Sequence, residues 1–240
     1  MGLITPFNYL VFDGKSSADF GVWISGGGTF NAPARDVETV AVPGRNGLLY
    51  FDNGRFNNTD VVYPAFISRD FEPRIKAFRA WLCSKVGYKR LEDTYHPDEY
   101  RKAIYKSGLD VTAAVRNLGG SFDLAFDCMP QRFLKSGEIP VRFEAGGVLF
   151  NPTVYTAKPV IRCIGTAGSV TVGGVSVEIT GASTYADIDC EEMEVTEGST
   201  LLNSTTVLTD GAFPVIDPGK VEISFSGFSA VEITPNWWTL

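Results

Sequence analysis

Histidine is almost missing from this chain: His96 is the only one in 240 residues. Catalytic schemes that set an imidazole beside a serine or cysteine, and metal sites built on several imidazoles, have almost no material here. The cysteines Cys83, Cys128, Cys163 and Cys190 are widely spaced and form no Cys-x-x-Cys pair, so no local zinc or dithiol motif can be assembled. They read as buried, reduced thiols. No apolar run approaches the roughly 20 residues that cross a bilayer. The opening MGLITPFNYLVFDG lacks a basic start and an unbroken apolar stretch, so a soluble chain without a signal peptide, made in a cytoplasm, is expected. Positive charge is also short, with 21 Lys and Arg against 28 Asp and Glu, a net charge of −7. Nucleic-acid coating, which needs concentrated Lys and Arg, is not expected.

What is present is β-strand patterning. The first third holds short β-branched or aromatic runs, YLVF (residues 9–12), GVWI (21–24) and VETVAV (37–42), separated by glycine-rich breaks. Asn46-Gly47, before LLYF, predicts a type I′ hairpin turn, and Asp52-Asn53-Gly54 predicts a second turn. Pro64 pushes the strand DVVYPAFI (60–67) toward a sheet edge. One helix is predicted, with Asp70 as N-cap, Pro73 in the first turn, a stripe of Phe71, Ile75, Phe78, Leu82 and Val86 at spacings of three and four, and Gly87 as its stop. Trp81 should extend its packing onto a sheet. Beyond a tip at His96-Pro97-Asp98, GSFDLAFDCMP alternates as a half-buried strand. From Lys158 onward the chain reads as all-β, with turns about every ten residues, which suggests a β-sandwich or jelly roll. The expected class is mainly β with one α-helix, in two domains of ordinary size divided near Lys135-Ser136-Gly137, at 1–135 and 136–240.

Several motifs were weighed for chemistry. Gly14-Lys15-Ser16 has the tail of a phosphate-binding loop, but Tyr9 stands where its first glycine belongs, so an ordinary turn is the reading. Gly26-Gly27-Gly28 fails the dinucleotide fingerprint at Asn31. His96 reads as a solvated turn residue. Asp187, Asp189 and Glu191 should share one strand face; a solvated face is the reading, with a calcium site or a glycosidase pair as alternatives. Acceptor-like triplets at Asn57 and Asn203 are chance matches without a signal peptide. Trp237 and Trp238 either close a core or an interface, or form a platform for stacking on a sugar.

The order of the pieces resembles the distal tail protein (Dit) family of long-tailed, non-contractile bacteriophages, the siphophage baseplate or tail-tip hub. The resemblance runs through VPGRNG and the aromatic strand after it (42–51), the helix with Phe78 and Leu82, and GYKRLEDTYHPDEYRKAIY (87–105). It continues through FDLAFDCMPQRFLKSGE (122–138), NPTVYTAKPVIRCIGTAGSVTVGG (151–174), YADIDCEEMEV (185–195) and the closing PGKVEISFSGFSAVEITPNWW. It implies a ring-forming, β-sandwich-like N-terminal domain with a helix and a long hairpin, then a galectin-like β-sandwich. It further implies a structural virion protein rather than an enzyme, with no cofactor and no metal, at the virion tail tip after assembly in the host cytoplasm. The implied partners are five other copies in a homo-hexamer, the tail tube protein, the tail-tip or tail-associated lysin protein and, in some phages, receptor-binding proteins; no specific nucleic acid and no membrane are implied. The hairpin at 37–57 would make inter-subunit contacts, with Gly44, Arg45, Asn46 and Gly47 as contact residues, although Arg45 reads equally as a solvated residue beside a turn. The stretch between Val195 and Lys220 is too short for the large insertion some members carry. An adhesive carbohydrate-binding module is the alternative function. The negative net charge also raised the expectation of an acidic ring lumen that lets DNA slide.

Overall fold

The computed structural model describes residues 7–113 and 118–240. The first six residues of the stretch read above for a signal peptide lie outside them. The chain divides into two compact units, Met1–Arg132 with Leu240, and Phe133–Thr239.

The first unit contains β1 (Leu10–Phe12), β2 (Lys15–Ser16), β3 (Trp23–Ile24), β4 (Arg35–Ala41), β5 (Leu48–Phe56), β6 (Thr59–Ile67), α1 (Phe71–Cys83), β7 (Lys89–Asp93), β8 (Glu99–Ile104) and β9 (Val111–Ala113), and most of β10 (Gly120–Leu134). One sheet runs in the order β2-β1-β7-β8-β10-β6-β3, with β9 also on β10. An antiparallel bridge from Asn8 to Ile24 brings the β1 and β3 ends of that order back together. The rings of Phe12 and Phe126 lie 5.1 Å apart although β1 and β10 are not neighbours in the sheet. The sheet is therefore curled, and its walls face each other across one core as sandwich layers do. Period-two alternation fills that core: Phe122, Leu124, Phe126 and Cys128 of β10 are buried, as are Val61, Tyr63, Ala65 and Ile67 of β6. Pro64 sits where the short β3 ladder gives out. Its carbonyl accepts from Ser25 N at 2.8 Å, and the N–H it lacks would face the same side, past the end of β3.

Helix α1 buries Phe71, Phe78 and Leu82, with Ile75 and Trp81 packed at the core margin. It differs from expectation at both ends. Asp70 has a left-handed backbone (φ 48°) and no side-chain capping bond, and pairs instead with Arg74 at 3.5 Å. The last turn tightens through Ser84 N to Trp81 O and Lys85 N to Leu82 O, while Lys85 Nζ is drawn to Asp13 at 2.7 Å. The helix thus ends at Cys83, and Val86, expected on its buried stripe, is 83% exposed.

The second unit contains β11 (Val141–Phe143), β12 (Gly147–Asn151), β13 (Val160–Ile164), β14 (Gly168–Val172), β15 (Val175–Ile179), β16 (Tyr185–Asp189), β17 (Glu194–Glu197), β18 (Thr200–Leu201), β19 (Thr206–Leu208), β20 (Gly219–Ser226) and β21 (Ala230–Thr234). Two antiparallel sheets, ordered β11-β21-β13-β16-β17-β18 and β12-β20-β14-β15-β19, form a β-sandwich. Alternate residues of both fill one core, among them Ile161, Cys163 and Ile188 from one sheet and Val170, Val172, Val177, Ile179 and Ile223 from the other. Each fully buried aliphatic side chain stabilises by about 1.5–3 kcal/mol. Between β17 and β20 the chain supplies only β18 and β19, the outermost strands of the two sheets, and two short 3-10 turns.

Candidate assembly surface

Among the described residues, strands β4 and β5 pair only with each other, as a two-stranded sheet outside the curled one. Their register sets Val37 against Asp52, Glu38 against Phe51, Thr39 against Tyr50, Val40 against Leu49 and Ala41 against Leu48. Side chains alternate between faces, so one face gathers Val37, Ala41, Leu48 and Tyr50, and the other Val40, Leu49 and Phe51. Thr39 and Asp52 share the first face and Glu38 the second, so both faces are apolar toward the tip and polar toward the base, and both meet solvent: Tyr50 is 68% and Phe51 54% exposed. At its base the hairpin is stiffened by ion pairs from Arg35 to Asp52 (2.5 Å) and Arg55 to Asp36 (2.6 Å). The bond from Arg55 holds the Asp36 carboxyl below its ordinary range, and the Gly54 N–H, with Arg35 next, does the same for Asp52. A bare two-stranded ribbon is marginal in water.

The hairpin corrects two turn readings. Ala41 and Leu48 are the last ladder pair, so the connection is residues 42–47, not a two-residue Asn-Gly turn. Arg45 N donates to Val42 O at 3.2 Å, and Gly44 has φ 80° behind Pro43, the arrangement of a type II turn. Asn46 is not among the positive-φ residues, whereas Gly47 is, at 83°. Asp52-Asn53-Gly54 does not reverse the chain either. The register slips between Arg35 and Val37, and β5 runs on through a bulge in which Gly54 has φ 72° and donates its N–H to Asp52 Oδ1 at 2.8 Å. Gly44, Arg45, Asn46 and Gly47 all sit at the exposed tip.

The hairpin leaves the body through residues 28–31, seated on a buried polar cluster. Arg132 Nη2 donates to Thr29 O at 2.7 Å and, more weakly, to Asn31 O at 3.4 Å, while Nη1 lies 3.5 Å from Glu99 Oε2. His96 N donates to Asp93 Oδ1 at 2.8 Å, and the same oxygen lies 3.1 Å from His96 Nδ1. Tyr63 OH donates to Asp93 Oδ2 at 2.8 Å; burial, and next the Asp93 charge, push this phenol well above its usual pKa. The Phe30 ring meets the His96 ring edge-on at 5.3 Å. His96 is therefore a packed residue, not the solvated one expected, because Asp93 three residues earlier folds the turn back onto it.

The other candidates are dispersed. The Asp187 carboxylate is gripped by both Arg162 Nε and Nη2 (2.7 and 2.8 Å), Asp189 Oδ1 accepts from Glu191 N and Glu192 N, and Glu191 pairs with Lys158 at 3.0 Å. Each acid is committed separately, and no metal-holding cluster occurs among the described residues. Gly14 lies in a tight turn between β1 and β2, and only a single 3-10 turn at Ser17–Phe20 follows, not the α-helix a phosphate-binding loop requires. Trp237 is only 6% exposed and belongs to the sandwich core. One face of Trp238 is stacked on Tyr155 at 4.3 Å, and its Nε1 donates to Thr156 O. Cys128, Cys163 and Cys190 are buried, and burial pushes each thiol up to about 12. Cys83 is exposed, contrary to expectation, because it lies on the solvent side of the helix end. No helix among the described residues is long and apolar enough to cross a membrane.

Sequence patterning found the hairpin but missed its two-sided character. The signal was there: LLYF is consecutively apolar, where a strand with one wet face alternates. Charge is unevenly divided as well. Residues 1–132 carry 16 Lys and Arg against 15 Asp and Glu, and residues 133–239 carry 5 against 13. The negative excess belongs to the second unit.

No protein-family profile and no curated protein matches the sequence. Solved structures do match. The crystal structure of the Dit protein of phage SPP1, described as a hub of the adsorption apparatus in phages infecting Gram-positive bacteria, aligns with a TM-score of 0.73 at 11% identity, covering 97% of this chain and 99% of that one. Chains of the phage p2 baseplate in its activated conformation align with TM-scores of 0.52 with calcium (11% identity, 94% of this chain and 96% of that one) and 0.50 with strontium (12%, 94% and 97%). Over nearly its whole length, therefore, this chain has the fold of a phage Dit hub protein.

Proposed function

We propose that this chain is a structural subunit of the hub ring at the distal end of a phage tail, in six copies. One observation carries the reading: a chain with the hub fold presents a hairpin that exposes apolar side chains on both faces and pairs with no other strand among the described residues. Closed cyclic assembly needs two different patches on each subunit. A projecting ribbon supplies one of them, entering a neighbour with Leu48, Tyr50 and Phe51 while the tip at 44–47 reaches furthest. Residues 1–135 form the ring in this reading, and the sandwich at 136–240 lies outside it. The tail tube protein docks on one side of the ring and the tail-tip or tail-associated lysin protein on the other, and a receptor-binding protein is a further partner. The carbohydrate-binding alternative gains no support from the two tryptophans, one being buried and the other half-covered by Tyr155.

The test is electron microscopy of the purified chain with mass photometry over a concentration series. Six-fold rings are expected. A chain that remains monomeric at high micromolar concentration, alone and with its tail tube partner, would overturn the proposal.

A further inference from the structure

The hairpin is covalently held to the body at two places, the 28–34 approach and the direct passage from β5 into β6. A ribbon hung on two short segments swings unless something fixes its root. The polar cluster beneath residues 28–31 is an expensive object to build in a core. Arg101 and Arg132 are 5% and 7% exposed, and burying a charge costs several kcal/mol unless it is paired. Arg101 Nη2 and His96 Nε2 are buried with no hydrogen-bond partner among the described residues. Since apolar residues of similar volume in such places are often neutral or better, stability alone is a poor reason for the arrangement.

What the cluster does contribute is geometry. We propose that Arg132 is the positioning residue of the assembly surface, its buried guanidinium gripping the backbone of residues 28–31 so that the hairpin leaves the body in one direction. The grip is directional because a planar fork donates to Thr29 O from one nitrogen and faces Glu99 with the other. Asp93, His96, Glu99, Arg101 and Arg132 surround only about 10 Å³ of free space, so the guanidinium has a single seat. The strand side of the root is close-packed too. A Cβ on Gly28 would lie 2.7 Å from His96 Cε1 and 3.1 Å from Tyr95 Cβ, so only glycine lets the chain pass over the ring. Asn31 adds a bond from Nδ2 to Asp60 O at 2.9 Å on β6.

The role in assembly rests on the hairpin being the subunit contact; the grip itself does not. The full chain is compared with Arg132→Gln and Gly28→Ala by backbone nitrogen relaxation below the ring-forming concentration and by the concentration at which rings form. In the wild-type chain residues 28–32 should show order parameters near those of rigid backbone, about 0.85, and both variants are expected to lower them toward about 0.6, to leave β10 rigid, and to raise the ring-forming concentration. If Arg132→Gln loosens β10 as well, Gly28→Ala carries the test, since it displaces the root without removing a charge. Unchanged order parameters at 28–32 in both variants would overturn the proposal, as would a loosened root with wild-type ring formation. A Tyr50→Thr/Phe51→Thr chain separates the two ideas. Rings lost with the root still rigid support both, whereas rings formed normally defeat the hairpin contact and leave the grip to be judged by relaxation.

Discussion

Replacing Tyr50 and Phe51 together by threonine tests the assembly surface at its most exposed point. The two are adjacent in β5, so they lie on opposite faces of the ribbon, and threonine keeps the strand preference while removing both rings. An aromatic side chain offers about 150–250 Å² to burial. With Tyr50 68% and Phe51 54% exposed, roughly 100–140 Å² of each remains for a neighbour to cover. At about 25 cal/mol per Å² that is near 3 kcal/mol per ring. Ordering costs in association reduce the realised gain to about 1–3 kcal/mol, or roughly tenfold to a hundredfold in contact affinity per residue. Every subunit in a closed ring repeats the loss, so the ring-forming concentration should rise steeply in mass photometry or light scattering. The melting temperature of the monomer should barely move, because neither side chain enters the core and surface substitutions usually stay within about 0.5 kcal/mol. A double variant that forms rings at the wild-type concentration would refute the reasoning and place the contact elsewhere.

Other consequences concern the two cores and the thiols. Phe126→Ala should destabilise the first unit by about 3–5 kcal/mol, since its ring meets Phe12, Tyr105 and Tyr63 at 5.1, 5.5 and 6.1 Å; chemical denaturation followed by exchange in β10 checks this, and a loss below about 1 kcal/mol would contradict the packing. Glu197 accepts from Ser183 N, Thr184 N and Thr184 Oγ1, each at 2.8 Å, which lowers its pKa from 4.5 to about 2. A carboxyl more acidic in the folded than in the unfolded chain contributes stability above pH 4.5 and loses it as the pH falls toward 2. Glu197→Gln should therefore flatten the acid limb of the stability curve across that window, and identical limbs would rule the bonds out as its source. A maleimide should modify Cys83 alone in the native protein, because the other three thiols are buried and pushed up to about 12; rapid labelling of a second site would show that a core opens.

The strands and the sandwich were legible because alternation leaves a period in the sequence that burial must obey. FDLAFDC gave β10 its inward Phe122, Leu124, Phe126 and Cys128 with no help from partners. Local rules failed where a distant group intervened. Asn46-Gly47 and Asp52-Asn53-Gly54 are both good turn formers, but Pro43-Gly44 had already reversed the chain, and β4 was long enough to hold Asp52 in register beyond it. The helix stripe overran to Val86 because nothing nearby in the sequence says that Lys85 is claimed by Asp13. The cluster under the hairpin root was illegible for the same reason. Arg132 grips carbonyls about a hundred residues earlier, and a carbonyl carries no side-chain signature.

The outer face of the six-stranded sheet carries a row of charges that opposes its burial by an apolar partner. Arg142 on β11, Glu232 on β21, Arg162 on β13 and Asp187 on β16 stand directly opposite one another across four strands. The row alternates in sign. Arg142 meets Glu232 at 2.8 Å, and Arg162 holds Asp187 bidentately while Tyr185 stacks beneath its guanidinium at 4.8 Å. The hydrogen bonds to Asp187 raise the Arg162 pKa, which fixes the positive charge of that guanidinium. In water such pairs contribute little, about 0–1 kcal/mol each. Covered by an apolar partner they would become a liability, since four charges would lose hydration that their mutual attraction does not restore. The ladder therefore keeps that face wet at little cost, whereas the ribbon of residues 35–56 confines its ion pairs to the base and carries exposed Leu48, Tyr50 and Phe51 nearer the tip.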